Sequence, residues 1–249
     1  MTMLSLAKMV PTAISSLMGT VVGVFNPQIT IAYAEDNTEN LVKIIKSCNR
    51  ILIFIMSIPI AFLTAYGRDF YAMWQPTKDA DMLQRLSLLA VGVLYVSMSI
   101  QVLYHVFIIT KKVKWNSLVI LGSGVLSSCL SLLLLKTTDL GVMVFPLSSM
   151  LTGLLRNLIF TPIYAARCLK IRWNRFYGDI LLGWISIGSI VILGNLSRMV
   201  FPVDSWIKLI LTGVVMGPLA LALNFLIILR KEEREMVIGM LKSRLKGAK

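Results

Sequence analysis

Histidine occurs once in these 249 residues, at position 105, and aspartate and glutamate together occur 12 times. No acid falls midway along an apolar stretch, and no Ser/His/Asp grouping offers itself for catalysis. A phosphate-cradling P-loop is also missing, which excludes a P-loop ATPase. The chain reads as a non-enzyme without a cofactor. Its three cysteines, Cys48, Cys129 and Cys168, follow no CxxC or metal-ligand spacing, so free thiols and no metal are expected.

Charge itself is scarce. Only 15% of residues are charged, against about 25% in ordinary soluble domains. Hydrophobic residues make up 57%, and the mean hydropathy is +0.79. Seven apolar stretches each run to about 20 residues, enough to cross a hydrocarbon layer of about 30 Å. They lie near 9–33, 50–67, 82–109, 116–135, 141–166, 178–199 and 206–229. Buried helices of a large soluble protein rarely repeat at that length and apolarity. The fold class is therefore an all-α polytopic membrane protein. Its transmembrane helical bundle covers 1–229, and a basic amphipathic cytoplasmic tail covers 230–249.

The net charge of +13 would suggest nucleic acid in a soluble protein. Here the bases fall in short loops between spans, so topology explains them and no nucleic acid is expected. Of the 25 Lys and Arg, 17 fall on one side and 7 on the other, with Arg156 left inside a span. The richer side reads as cytoplasmic, which puts the N-terminus outside and the C-terminus inside. Tyr71, Trp74, Trp173 and Tyr177 stand at span ends, where headgroups would be. An outside start without a secretory signal pattern suggests the rear half of a longer transporter.

Two segments read as surface helices. Residues 38–50 follow the capping residues Asp36 and Asn37 and lead straight into the second span. In the tail, Met236, Val237, Met240, Leu241 and Leu245 share one face among bases, which reads either as an interfacial helix or as a solvated tail.

Polar residues inside the spans carry the functional reading. Asn26, Pro27 and Gln28 interrupt the first span. Pro27 lacks an N–H and disturbs the Gly23 carbonyl, which predicts either a structural break against a cavity or a simple kink. Gly19 and Gly23 would allow close helix approach. Pro59 and the Gly217-Pro218 pair predict further bends. Ser97, Gln101 and His105 are spaced by four, with Tyr104 on the same face, a row that belongs inside a bundle. His105 reads as a proton sensor or as structural. Arg156 is mid-span with Asn157 beside it, and a charge there costs several kcal/mol even by low-end scales. It must line water, meet a partner outside this chain, or snorkel to the headgroups. The substrate-cavity candidates are Arg156, Asn157, Asn26, Gln28, Gln101, Tyr104 and His105.

"GVFNPQITIAYAEDNTENLVKIIKSCNRILIFIMSIPIAF" resembles a segment of polysaccharide flippases, O-antigen or capsule type, of the multidrug/oligosaccharidyl-lipid/polysaccharide exporter superfamily. "YHVFIITKKVKWNSLVILGSGVLSSCLSLLLL" and "DLGVMVFPLSSMLTGLLRNLIFTPIYAARCLKI" resemble two later segments of the same proteins. The resemblance covers nearly all of the chain. It implies the second lobe plus two extra helices of a MATE-like flippase in the bacterial inner membrane, spans 8 to 14 of fourteen. It also implies movement of an undecaprenyl-pyrophosphate-linked glycan between leaflets by alternating access. Membrane lipid, the undecaprenyl-pyrophosphate-linked glycan, and a missing N-terminal half or a polysaccharide polymerase would be its partners. A drug/cation antiporter of the same superfamily is the second reading. A membrane-embedded glycosyl- or acyltransferase is the third, and a receptor or structural membrane protein the fourth.

Overall fold

Helix follows helix from one end of the chain to the other. The computed structural model describes residues 2–229 and Arg234. The tail helix expected within 230–249 lies outside the described residues, apart from Arg234. The elements are α1 (Met3–Ala34), α2 (Thr38–Trp74), α3 (Ala80–Val91), α4 (Leu94–Ser97), α5 (Leu103–Ile109) and α6 (Val113–Thr137). A 3-10 turn (Gly141–Met143), α7 (Val144–Leu155), a π-turn (Arg156–Phe160), α8 (Thr161–Cys168), α9 (Tyr177–Val200) and α10 (Trp206–Ile227) complete the order. Seven helical stretches are long and apolar enough to cross a membrane, and among the described residues there is no strand. The protein is an all-helical, multi-pass membrane protein.

α2 is the axis of the bundle, packed against α1, α3, α9 and α10. Its 37 residues give a length of about 55 Å, well beyond the hydrocarbon thickness. The separate surface helix expected over 38–50 is part of this one helix. Its apolar face, Leu41, Val42 and Ile45, is buried in the common core, where packing against neighbouring helices outweighs any preference for the membrane surface. Asn37 does cap it, its Oδ1 accepting the Asn40 N–H at 3.0 Å.

Polar contacts fasten the neighbours to α2. The Tyr71 hydroxyl reaches the Ala7 carbonyl of α1 at 3.3 Å and Ser87 Oγ of α3 at 3.0 Å. The Tyr66 hydroxyl donates to the Gly194 carbonyl of α9 at 3.0 Å. Gly194 has to be small there, because a Cβ would press on Ala65 and Tyr66. At one end Arg198 pairs with Asp69 at 3.0 Å and Arg68 with Asp81 at 2.6 Å. At the other, Asn49 donates to Asp179 at 3.2 Å. Asp179, at the start of the sixth span, is only 3% exposed.

The irregular backbone is not where the prolines of α1, α2 and α10 predict it. α1 is helical through Asn26 and Pro27, α2 through Pro59, and α10 through Gly217 and Pro218. A proline costs a helix one N–H bond and crowds one carbonyl, yet each of these long helices continues past it. The breaks sit in the third and fifth spans. Residues 82–109 are not one helix: turns at 92–93 and 98–102 divide the span into α3, α4 and α5. The fifth span widens into the π-turn just before Pro162. Gly19 and Gly23 also depart from expectation, since nothing lies within 4 Å of a Cβ built at either. Close approach occurs instead at Gly92, against Met150, and at Gly153, against Val93. These two glycines let α7 lie tightly on the α3–α4 junction.

Candidate functional site

Proline explains the π-turn. Pro162 cannot donate to the Leu158 carbonyl four residues back, and its ring crowds that oxygen. The backbone opens by one residue, and the Thr161 N–H bonds the Arg156 carbonyl five residues back. The orphaned Leu158 carbonyl is taken up by the Tyr177 hydroxyl of α9 at 2.7 Å. A π-turn of this kind is a frequent companion of functional sites.

The turn presents Arg156 and Asn157 to the broken third span. Asn157 is 1% exposed. Its Nδ2 donates to Ser97 Oγ at 2.8 Å, and its Oδ1 accepts from the Tyr104 hydroxyl at 2.9 Å and from Arg156 Nε at 3.3 Å. Arg156, half-buried, reaches across to Ser123 Oγ of α6 at 3.5 Å. Both of its partners are neutral, and among the described residues no carboxylate pairs with it. The guanidinium is thus oriented without being neutralised.

A second group lies on α5 and α1. His105 Nε2 is 2.9 Å from Thr30 Oγ1, which itself donates to the Asn26 carbonyl at 2.9 Å. With its one proton given to Asn26, the Thr30 hydroxyl accepts from His105. Asn26 Oδ1 is buried and has no partner. Gln101 is half-buried, and Gln28 is exposed and joins neither group. Of the row read from sequence, Ser97 and Tyr104 therefore meet at Asn157, while His105 turns to α1.

Two grooves flank the α3–α7 contact. One, of about 340 Å³, is lined by Lys8, Thr12, Ser15, Ser16 and Ser149 with Leu89, Val93 and Pro146. The other, of about 730 Å³, is apolar apart from Thr64, Arg85 and Tyr95, and is walled by Met150, Leu154, Leu158 and Trp184. None of the seven predicted cavity residues lines either groove. Arg156 lies two turns along the helix from Ser149, and its neighbours Leu154 and Leu158 line the apolar groove. The Ser and Thr residues of α1 were not singled out from sequence. Their signal was present, because Thr12, Ser15, Ser16 and Thr20 all lie in an apolar span and all are exposed.

No family model matches the chain, and no solved structure does. The chain is 26% identical over 235 residues to a Bacillus subtilis (strain 168) protein, the uncharacterized membrane protein EpsK. The match covers 92% of this chain and 45% of that protein. The chain spans less than half the length of the curated relative it matches. Similarity to a membrane protein agrees with the seven apolar helices.

Proposed function

We propose that this chain is one lobe of a flippase that carries a lipid-linked polysaccharide repeat unit from the inner to the outer leaflet. The observation that carries the proposal is Arg156, a mid-span charge held by neutral partners and without a counter-ion among the described residues. A pyrophosphate passing through the bundle would supply that counter-ion, since a planar guanidinium grips phosphate oxygens in pairs. The two grooves support the reading: a polar one suits a sugar headgroup, an apolar one an isoprenoid chain. In this reading α1, with its exposed Ser and Thr residues, and α6, exposed along most of its length, meet a second lobe. The chain sits in the bacterial inner membrane with residues 68–81 outside and the basic turns inside. A drug/cation antiporter would want a carboxylate in its cavity, and neither groove contains one.

The test is surface glycan in a deletion strain complemented by variants of the complete transporter, with membrane protein level measured alongside. Arg156→Gln should abolish glycan display while the protein still accumulates, and Arg156→Lys should retain part of it. Full display by the Gln variant removes Arg156 from the mechanism. Loss of protein together with glycan assigns it a structural role.

A further inference from the structure

The turns after α5 and α8 share a sequence word and a type of helix cap, the two being offset by one residue. Lys112-Val113-Lys114-Trp115-Asn116 is matched by Lys170-Ile171-Arg172-Trp173-Asn174. Each preceding helix ends with a lysine in the left-handed region, Lys111 and Lys170, both at φ 56°. Each is closed by a backbone bond five residues back, Lys112 N–H to the Phe107 carbonyl at 2.9 Å and Ile171 N–H to the Ala166 carbonyl at 3.0 Å. Glycine usually fills that position, since a side chain there is strained. Here both turns hold a base in it.

The two turns are also neighbours. α5 packs on α8, the rings of Phe107 and Tyr164 lie 5.2 Å apart, and the Tyr164 hydroxyl donates to the Lys112 carbonyl at 3.2 Å. Lys111, Lys112, Lys114, Lys170, Arg172 and Arg175 are all exposed, and none takes part in an ion pair among the described residues. No acid occurs between Asp81 and Asp139, or between Asp139 and Asp179, and Asp179 is buried on Asn49. Of the acids at the α1–α2 corner, Glu39 pairs with Lys43 at 3.3 Å, Glu35 accepts from Asn40 at 3.2 Å, and Asp36 is exposed. Trp115 and Trp173 are 60% and 61% exposed. Exposed indole rings beside Lys and Arg belong at headgroup depth, where lipid phosphates lie.

We infer that these twin turns form one binding site for the phosphoryl group of a lipid headgroup. The pair of indoles fixes its depth, and the unneutralised bases of both turns converge on the phosphate oxygens. A general attraction of bases to an anionic surface would depend on lipid charge alone. A site with bases from two turns should prefer a terminal phosphate, with its extra charge and free oxygens, over a phosphodiester. The site stands whether or not the chain moves a lipid-linked glycan.

The test uses the full chain in phosphatidylcholine nanodiscs, with Trp74, Trp184 and Trp206 replaced by Phe so that Trp115 and Trp173 alone emit. Brominated phosphatidic acid and brominated phosphatidylglycerol are compared at matched total lipid charge. Phosphatidic acid should quench more strongly. Lys112→Gln with Arg172→Gln should weaken the phosphatidic acid affinity read from that quenching by about thirtyfold, since each surface base contributes roughly a fivefold share. Lys78→Gln with Lys136→Gln, of equal charge loss at other exposed positions, should leave it unchanged. Relief of quenching by inorganic pyrophosphate shows that the phosphoryl group is recognised free or lipid-borne, and no relief restricts it to the lipid. Equal quenching by the two lipids, or equal loss in the two double variants, overturns the site.

Discussion

Two of the buried asparagines of this bundle, Asn224 and Asn157, are wired differently. Asn224 of α10 is 0% exposed. It donates to Ser57 Oγ at 2.7 Å and to the Phe54 carbonyl at 3.0 Å, and it accepts from Ser186 Oγ at 2.6 Å. Both amide hydrogens and the oxygen are used, every partner is neutral, and α2, α9 and α10 are joined in one closed knot. Asn157 is as deeply buried, but one of its three partners is a charge. Its oxygen takes both a tyrosine hydroxyl and a guanidinium that reaches onward to α6. A closed polar knot fixes helices to one another. An open one holds something for use elsewhere. The knots are also set in different backbone: Asn224 lies in an unbroken helix, and Asn157 lies in a π-turn facing a span in three pieces.

The largest effect should come from cutting the closed knot. Asn224→Leu leaves the Ser57 and Ser186 hydroxyls without their cross-helix partner and removes a second bond to the Phe54 carbonyl, at about 1–3 kcal/mol in total. Unfolding in bicelles would show it, together with a lower yield. Adding Ser57→Ala and Ser186→Ala should recover part of the loss, because an all-apolar contact is better than a half-satisfied one. A triple variant less stable than the single one would break the claim that the knot acts as a unit.

Asn157→Leu should cost less stability, about 1 kcal/mol, since Ser97 Oγ already donates to the Val93 carbonyl at 3.0 Å. Its effect on transport should be larger than its effect on folding. Without the amide oxygen Arg156 is no longer aimed, and a misplaced group costs on the order of tenfold to a hundredfold in rate. Asn157→Asp sharpens the contrast. It gives Arg156 the carboxylate it lacks, so stability should hold while glycan export falls. Export unchanged by either variant, at normal protein level, would make the open knot merely structural.

Much of this was legible in the sequence, and the limits are physical. The seven crossings follow from long apolar runs, which need no partner to be read. Arg156 and Asn157 stood out because a charge in such a run is costly wherever it points. The Asn224 knot was not legible: its three residues come from spans more than 160 positions apart at the extremes, and one polar residue per span carries no address. The prolines misled for a different reason. Sequence shows which N–H is missing but not whether the freed carbonyl is tolerated. At Pro27 and Pro59 the helix continues past it. At Pro162 the backbone opens, and a hydroxyl from another span fills the gap.

That last difference gives the smallest and cleanest test. In the native chain Tyr177→Phe strands the Leu158 carbonyl, so it should cost about 1 kcal/mol. Pro162→Ala restores an N–H four residues after Leu158 and removes the ring that crowds its carbonyl. In that background the carbonyl has a partner within its own helix, and the tyrosine hydroxyl becomes dispensable. Tyr177→Phe should then cost close to nothing. The double-mutant cycle, read by unfolding in bicelles, should show a coupling of about 0.5–1 kcal/mol. Closing the π-turn also rotates Arg156 against the third span, so Pro162→Ala alone should lower glycan export more than it lowers stability. Strict additivity in the cycle would mean that Tyr177 does not answer the carbonyl that Pro162 leaves free, and the π-turn would need another cause.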